Sequence, residues 1–256
     1  MRAETLAAVR EHQPRLRLPD PLYKMCRMRK ILIALAAATA AATLFSGCSA
    51  KDAGGPLPEA STLIKESAAT TANLKSAHLA LTVAGQIQHL PVKSLEGDLT
   101  NAPTVAAKGT ATITMLGSDV QTKFVVVDGE LYAAITGDDY DNYGPASKIY
   151  DVSAILNPDE GLANMLSSLA NPKAAGRDTL DGQKTVRITG EAPADAVNKL
   201  APQLKATASM PCTVWIQEEG DHQLVQAQLE PSKGNMIQMV LSQWNAPVSI
   251  EKPAGA

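Results

Sequence analysis

Apolar positions recur along the chain with two different periods, and the switches between them mark out its elements. Between 59 and 75, Leu63, Ile64, Ala68, Thr71 and Leu74 recur at helical spacing. Glu59 falls in the first turn, where the helix dipole favours a negative charge. The period then becomes two. Leu79, Leu81 and Val83 alternate through 77–87, Leu95, Gly97 and Leu99 through 92–100, and Gly109, Ala111, Ile113 and Met115 through 105–116. Strands at 120–127 and 131–136 flank Asp128 and Gly129, a dipeptide suited to a two-residue hairpin. Asn157, Pro158, Asp159 and Glu160 carry the signature of a helix start, followed by Leu162, Met165, Leu166 and Leu169 at helical spacing. A second hairpin is expected over 175–191 around Asp181 and Gly182, and a short helix over 193–200. Strands are expected at 213–218, 223–230, 236–242 and 248–251. About ten or eleven strands joined by short turns must be mostly antiparallel. The expectation is an α+β fold, a single domain over 59–253, with a large curved antiparallel sheet, helices over one face and a tail at 254–256.

The segment ahead of this domain reads as an address. Lys24, Arg27, Arg29 and Lys30 precede an uncharged apolar run from Ile31 to Phe45. Fifteen helical residues span about 22 Å, short of a roughly 30 Å hydrocarbon core, so 25–47 reads as a cleaved signal and not as a membrane span. Leu44, Phe45, Ser46, Gly47 and Cys48 resemble a bacterial lipobox, with Phe45 in place of the usual aliphatic residue. The expectation is a diacylglycerol on the Cys48 thiol, and two or three acyl chains hold a protein stably on a membrane where one does not. Residues 48–58 (CSAKDAGGPLP) read as a flexible tether. Residues 1–24 carry Glu4, Glu11 and Asp20 ahead of the basic flank and fit no export signal, which places the true start at Met25 or Met28.

Composition then narrows the function classes. The chain holds 23 Lys and Arg against 26 Asp and Glu, which excludes a strongly basic nucleic-acid binder. Residues 1–47 take eight of the basic and three of the acidic residues, leaving 15 and 23, a net charge of -8. Such a body is repelled by anionic headgroups, so attachment would depend on the acyl anchor. Cys212, within a strand-like run, reads as a small buried hydrophobe. His78, His89 and His222 form no metal-ligand spacing, and no nucleophile elbow or phosphate loop is present. Asp138, Asp139 and Asp141 lack the order of a calcium loop and read as a solvated one. No metal, no cofactor and no enzymatic activity are therefore expected.

The choice of apolar residues carries more. Residues 48–256 contain Phe124, two Trp and four Tyr, while the strand faces carry Ala, Gly, Val and Leu. Small side chains on a concave sheet leave room, and an empty apolar void costs roughly 24 cal/mol per Å³. Either an apolar ligand fills that room or the core simply closes, and the residues alone leave both open.

Several segments bear a family resemblance: GGPLP at 54–58, LKSAH at 74–78, GDLT at 97–100, FVVVDG at 124–129, LNPDEGLAN at 156–164, TVWIQE at 213–218 and GDHQL at 220–224. In this order, over nearly all of 48–253, they resemble the mycobacterial lipoprotein family that includes LppX, LprA, LprF and LprG. The resemblance implies a half-barrel with helices on its concave side and a hydrophobic cavity for acyl chains. It implies a carrier of triacylated glycolipids (lipoarabinomannan and phosphatidylinositol mannosides) and of triacylglycerol, from the plasma membrane toward the outer envelope. It further implies a major-facilitator-type efflux transporter as partner, recognition by the host receptor TLR2, and a lipid-anchored site on the outer face of the plasma membrane, with release from it as a further possibility. A monomer is expected.

Alternation supplies the candidate cavity lining: Leu79, Leu81, Val83, Leu95, Leu99, Ala111, Ile113, Leu131 and Ala133 from strands, with Leu162, Met165 and Leu166 from the helix over them. Each serves equally well as ordinary core. The alternative to a carrier is an envelope scaffold that tethers a transporter and holds no lipid. A lipase-like enzyme is a third reading, which would require a nucleophile with a base in reach.

Overall fold

The computed structural model describes residues 55–255. The expected extension, signal, lipidated Cys48 and first part of the tether lie outside the described residues.

Eleven strands form one antiparallel sheet: β1 (Ser76–Ala84), β2 (Val92–Thr100), β3 (Ala106–Met115), β4 (Ser118–Val127), β5 (Glu130–Ala134), β6 (Asp141–Pro145), β7 (Ala170–Leu180), β8 (Gln183–Ala192), β9 (Met210–Gln217), β10 (Leu224–Ser232) and β11 (Asn235–Ser242). Among the described residues three α-helices accompany them: α1 (Ala60–Ala72), α2 (Leu162–Ser167) and α3 (Ala194–Leu200). The order across the sheet is β6-β5-β4-β3-β2-β1-β11-β10-β9-β8-β7. The chain enters at the centre, winds out to one edge, crosses to the other edge and winds back until β11 pairs with β1. That one non-sequential pairing turns two meanders into a single sheet.

Alternation decides which face is dry. Ala77, Leu79 and Leu81 of β1, Leu95 and Leu99 of β2, Phe124 and Val126 of β4, and Ile237, Met239 and Leu241 of β11 are buried in one core with the helices. Their sequence neighbours point outward and are largely polar, as expected for an antiparallel sheet with one solvated face. Outward groups pair with each other: His78 Nδ1 lies 2.8 Å from Asp98 Oδ1, and the Trp215 indole N–H donates to Asp178 Oδ2, which Arg187 also contacts. Cys212 is buried, and burial pushes its thiol up to about 12.

The link from β6 to β7 must traverse the sheet and does so as a 3-10 turn at Val152–Leu156 followed by α2. Here the structure corrects the expected helix start. Asn157 closes a local turn instead, its Oδ1 accepting from the Asp159 N–H at 2.8 Å, and α2 begins four residues later behind Gly161. A Cβ on Gly161 would lie 2.1 Å from the Ile155 carbonyl oxygen, so the chain can fold back this tightly only through glycine.

Two further differences concern strands. Residues 248–251 form no strand; they cross the outer face of the sheet, where Ile250 packs on Val125, Val127 and Tyr132 and Lys108 Nζ donates to the Ser249 carbonyl. The aspartate-rich segment instead runs into β6, a five-residue edge strand, with Asp138 held 2.5 Å from Lys123 Nζ. Residues 55–56 are held too: the Arg177 guanidinium donates to the Gly55 and Pro56 carbonyls while its Nε reaches Glu218 at 2.7 Å.

Candidate functional site: an apolar cavity under β2 to β5

The helices do not cover the concave face evenly. α1 packs on α2, β7 and β9, and α2 also meets α3, so the β7–β9 side is covered by helices. Over β2 and β3 the cover is the 3-10 turn at Val152–Leu156. Beneath the thinner cover lies a cavity of about 220 Å³.

Its walls follow from strand alternation. Ala111, Ile113 and Met115 come from β3, Thr122 and Phe124 from β4, and Leu131, Ala133 and the following Ile135 from the β5 strand line. β2 supplies Val92 and Leu95, which are three residues apart and should face opposite ways. A register shift against β3 between Val92 and Ser94 brings both inward. Tyr143 of β6 and the crossover residues Ile149, Tyr150 and Val152 close the remaining side. Met115, Tyr143 and Ile149 are exposed, so the cavity opens to the surface between them.

The lining is almost wholly carbon. The Thr122 hydroxyl is absorbed by the sheet, donating toward the Ala134 carbonyl at 3.0 Å. Burial, with a smaller contribution from Asp151, raises the Tyr150 phenol far above its ordinary value, so the side chain stays neutral at any physiological pH. The lining offers no acid, base or charged ligand, and its chemistry is that of a site for hydrocarbon.

A second, smaller cavity of about 30 Å³ lies beyond, walled by Leu81, Leu200, Leu204, Leu229, Ile237 and Met239 among others. Val92, Leu95 and Tyr150 border both spaces and form the partition.

Five of the twelve residues singled out from the sequence line the main cavity: Leu95, Ala111, Ile113, Leu131 and Ala133. Leu81 lines the smaller one. Val83 packs half-buried at the margin of the core. Leu79, Leu99, Leu162, Met165 and Leu166 line neither; they are closed core, because α2 docks against α1 and leaves no space beneath itself. Phe124 and Met115 were reachable by continuing the alternation. Ile149, Tyr150 and Val152 were not, since the crossover has no period to read. Cys48 lies outside the described residues.

No helix among the described residues is long and apolar enough to cross a membrane. The LppX_LprAFG lipoprotein family matches residues 59–250. The chain is 52% identical over 227 residues to the lipoarabinomannan carrier protein LprG of Mycobacterium tuberculosis, covering 88% of this chain and 95% of that protein. To the protein of the same name from Mycobacterium leprae it is 51% identical over 228 residues, covering 88% and 96%. Among solved structures, LprF from Mycobacterium bovis superposes with a TM-score of 0.72 at 34% identity, covering 79% of this chain and 100% of that one. LppX from Mycobacterium tuberculosis superposes at 0.60 and 30% identity, covering 75% and 97%. With the profile, the identity and the eleven-stranded half-barrel in agreement, the chain belongs to the LppX/LprAFG family of lipoproteins.

Proposed function

We propose that this protein is a lipid-anchored carrier that takes acyl chains of triacylated glycolipids, lipoarabinomannan and its phosphatidylinositol mannoside precursors among them, and of triacylglycerol into the cavity under β2 to β5. The observation that carries the reading is a carbon-lined space of about 220 Å³ with an opening at the surface. Each CH₂ brought into water costs about 0.8 kcal/mol, so a free acyl chain crosses an aqueous gap slowly and a sheltering cavity removes that barrier. The names of the LprG relatives support the ligand class. Transfer breaks no covalent bond, and the lining holds no group to break one, so the reading includes no enzymatic step. Cys48 carries the acyl anchor and places the body on the outer face of the plasma membrane, where cargo passes toward the outer envelope together with an efflux transporter. Recognition by host TLR2 belongs to the same acylated state.

Ala111 sits in the middle of the wall and is 7% exposed. Ala111→Trp would fill the space. The protein purified from its host should yield bound acylated lipid in native mass spectrometry, and the folded Ala111→Trp variant should yield none. A folded variant with the parent's lipid content would remove the cavity from the proposal. A parent without any lipid would favour a scaffold that tethers a transporter.

A further inference from the structure

Six large apolar side chains are exposed among the described residues; three of them, Met115, Tyr143 and Ile149, line the cavity, and a fourth, Leu116, directly follows Met115 in the chain. Leu116 is the extreme case: it is fully solvent-exposed at the tip of the β3–β4 hairpin. Its backbone is as unusual as its exposure. Leu116 has φ 51° and Gly117 φ 82°, the two positive values of a tight hairpin turn. Among the described residues two other two-residue hairpins carry this signature, and both place Asp at the first position, Asp128 and Asp181, each followed by Gly. Left-handed backbone favours Asn, Asp or Gly and disfavours a bulky side chain. Folding and solubility would therefore both be served by a polar residue at 116. A leucine there is explained by something it touches outside the molecule.

We infer that the β3–β4 hairpin tip docks the cavity mouth into a lipid bilayer, with Leu116 beneath the headgroups and Met115, Tyr143 and Ile149 at the interface. The inference rests on the carrier reading and specifies how cargo enters. The sheet gives the tip the necessary reach. β4 pairs with β5 only as far as Lys123 with Ala134, but with β3 to Ser118, so on its β5 side the hairpin extends five residues, about 16 Å, past its neighbour. On its β2 side pairing runs to Ile113 and the Thr114 N–H still donates to the Pro91 carbonyl, which leaves residues 115–118 as the free tip. The aspartate-rich loop is held back: Asp138 is bound to Lys123, at the base of the projection. The tip can thus enter a bilayer while those carboxylates stay in water.

The tether permits the pose. Gly55 is fixed by Arg177, four residues before Asp181 of the Asp181–Gly182 turn and so at the opposite end of the sheet from Leu116. The seven residues from Cys48 to Gly55 reach at most about 25 Å, and a ten-residue strand is about 33 Å long. A body standing on its tether would hold the mouth clear of the membrane. A body lying over brings the tip to the surface without straining the anchor.

The test uses the acylated full-length chain, processed in its host, on vesicles of phosphatidylcholine and phosphatidylglycerol. A nitroxide is placed at Ser118→Cys beside the tip or, as a control, at Lys184→Cys beside the opposite turn; Cys212, 2% exposed, stays unlabelled. Relaxation by oxygen should exceed relaxation by a water-soluble nickel chelate at 118 and not at 184. Equal exposure of both probes to the nickel chelate overturns the docking. The second arm follows extraction of pyrene-labelled triacylglycerol from the vesicles. Leu116→Asn suits the turn better than leucine and should leave stability equal or higher. It should slow extraction about ten-fold, the weight of one buried leucine side chain, with the final amount bound unchanged. An unchanged rate overturns the inference. If the parent extracts no lipid at all, the carrier reading fails, and the probe at 118 still decides the docking by itself.

Discussion

Gly97 of β2 and Gly109 of β3 face each other on the concave side, and each occupies space the other strand's backbone needs. A Cβ on Gly97 would lie 2.2 Å from the Lys108 carbonyl oxygen, and one on Gly109 would lie 2.1 Å from that of Glu96. Neither obstacle is a flexible side-chain end that could swing away. From sequence, Gly109 counts among the small residues that leave room for a ligand. Its role in the structure is to let two backbones close on each other beside the cavity, so the room is made by Ala111 and Ala133 instead. Gly109→Val should therefore lower stability by about 2 kcal/mol or more, at the upper end of overpacking costs, through a lower urea midpoint at unchanged slope. Ala133→Val, which grows into open space, should leave that midpoint within about 0.5 kcal/mol of the parent while reducing the lipid bound. Equal destabilisation by the two would mean that the cavity wall and the strand contact are not the separate features the geometry makes them.

At the scale of elements, α1 is tied at its start by a single side chain. The Glu59 carboxylate accepts from the Ser61 hydroxyl at 2.7 Å and from the Ser61 and Thr62 N–H groups at 3.2 and 2.6 Å. These bonds, to Ser61 first and Thr62 next, lower its pKa from 4.5 to about 2. A carboxylate bound in the folded state stabilises fully above its ordinary pKa and loses that contribution as pH falls through the folded value. Glu59→Gln should thus melt below the parent at pH 7, and the gap should close between about pH 4.5 and 2. A gap constant over that range would assign the difference to shape and not to charge. This helix was legible in the sequence by its period, while Glu59, expected within the first turn for its charge, is in the structure the cap itself. The strands were legible by alternation, and the Asp128–Gly129 and Asp181–Gly182 turns by their chemistry. The segment at 248–251 alternates like a strand, yet it satisfies Ile250 by packing on the outer face of the sheet and not by pairing. β6 was hidden because an exposed edge strand of Asp, Asn, Tyr, Gly and Pro has no apolar face to announce it.

For the whole molecule, topology explains why one half is hollow. The chain enters in the middle of the sheet, so its two meanders end at opposite edges and one crossover must span the concave face. Helix α1 has already taken the β7 and β9 side, and α2 comes to rest against it. The β2 to β5 side receives only the narrow crossover, whose Tyr150 reaches between the two cavities. This long-range consequence of strand order could not be read from local periodicity, which is why alternation found the strand walls and missed the roof. It also bears on capacity. A cavity of about 220 Å³ is smaller than the roughly 300–1,000 Å³ usual for pockets that enclose a small ligand, so three acyl chains require the partition to yield. Tyr150→Ala removes the ring from that partition and joins the two spaces. The enlarged void should lower the stability of the lipid-free protein by roughly 2 kcal/mol, below the range for deleting a fully buried aromatic ring because Tyr150 is only partly buried. Bound lipid refills the void, so the gain in melting temperature on loading should be larger for Tyr150→Ala than for the parent. The variant should also load triacylglycerol faster, since a barrier inside the protein has been taken away. Loading at the parent's rate, with the parent's gain in melting temperature, would mean that Tyr150 is fixed packing and that the large lipid enters by moving some other part of the roof.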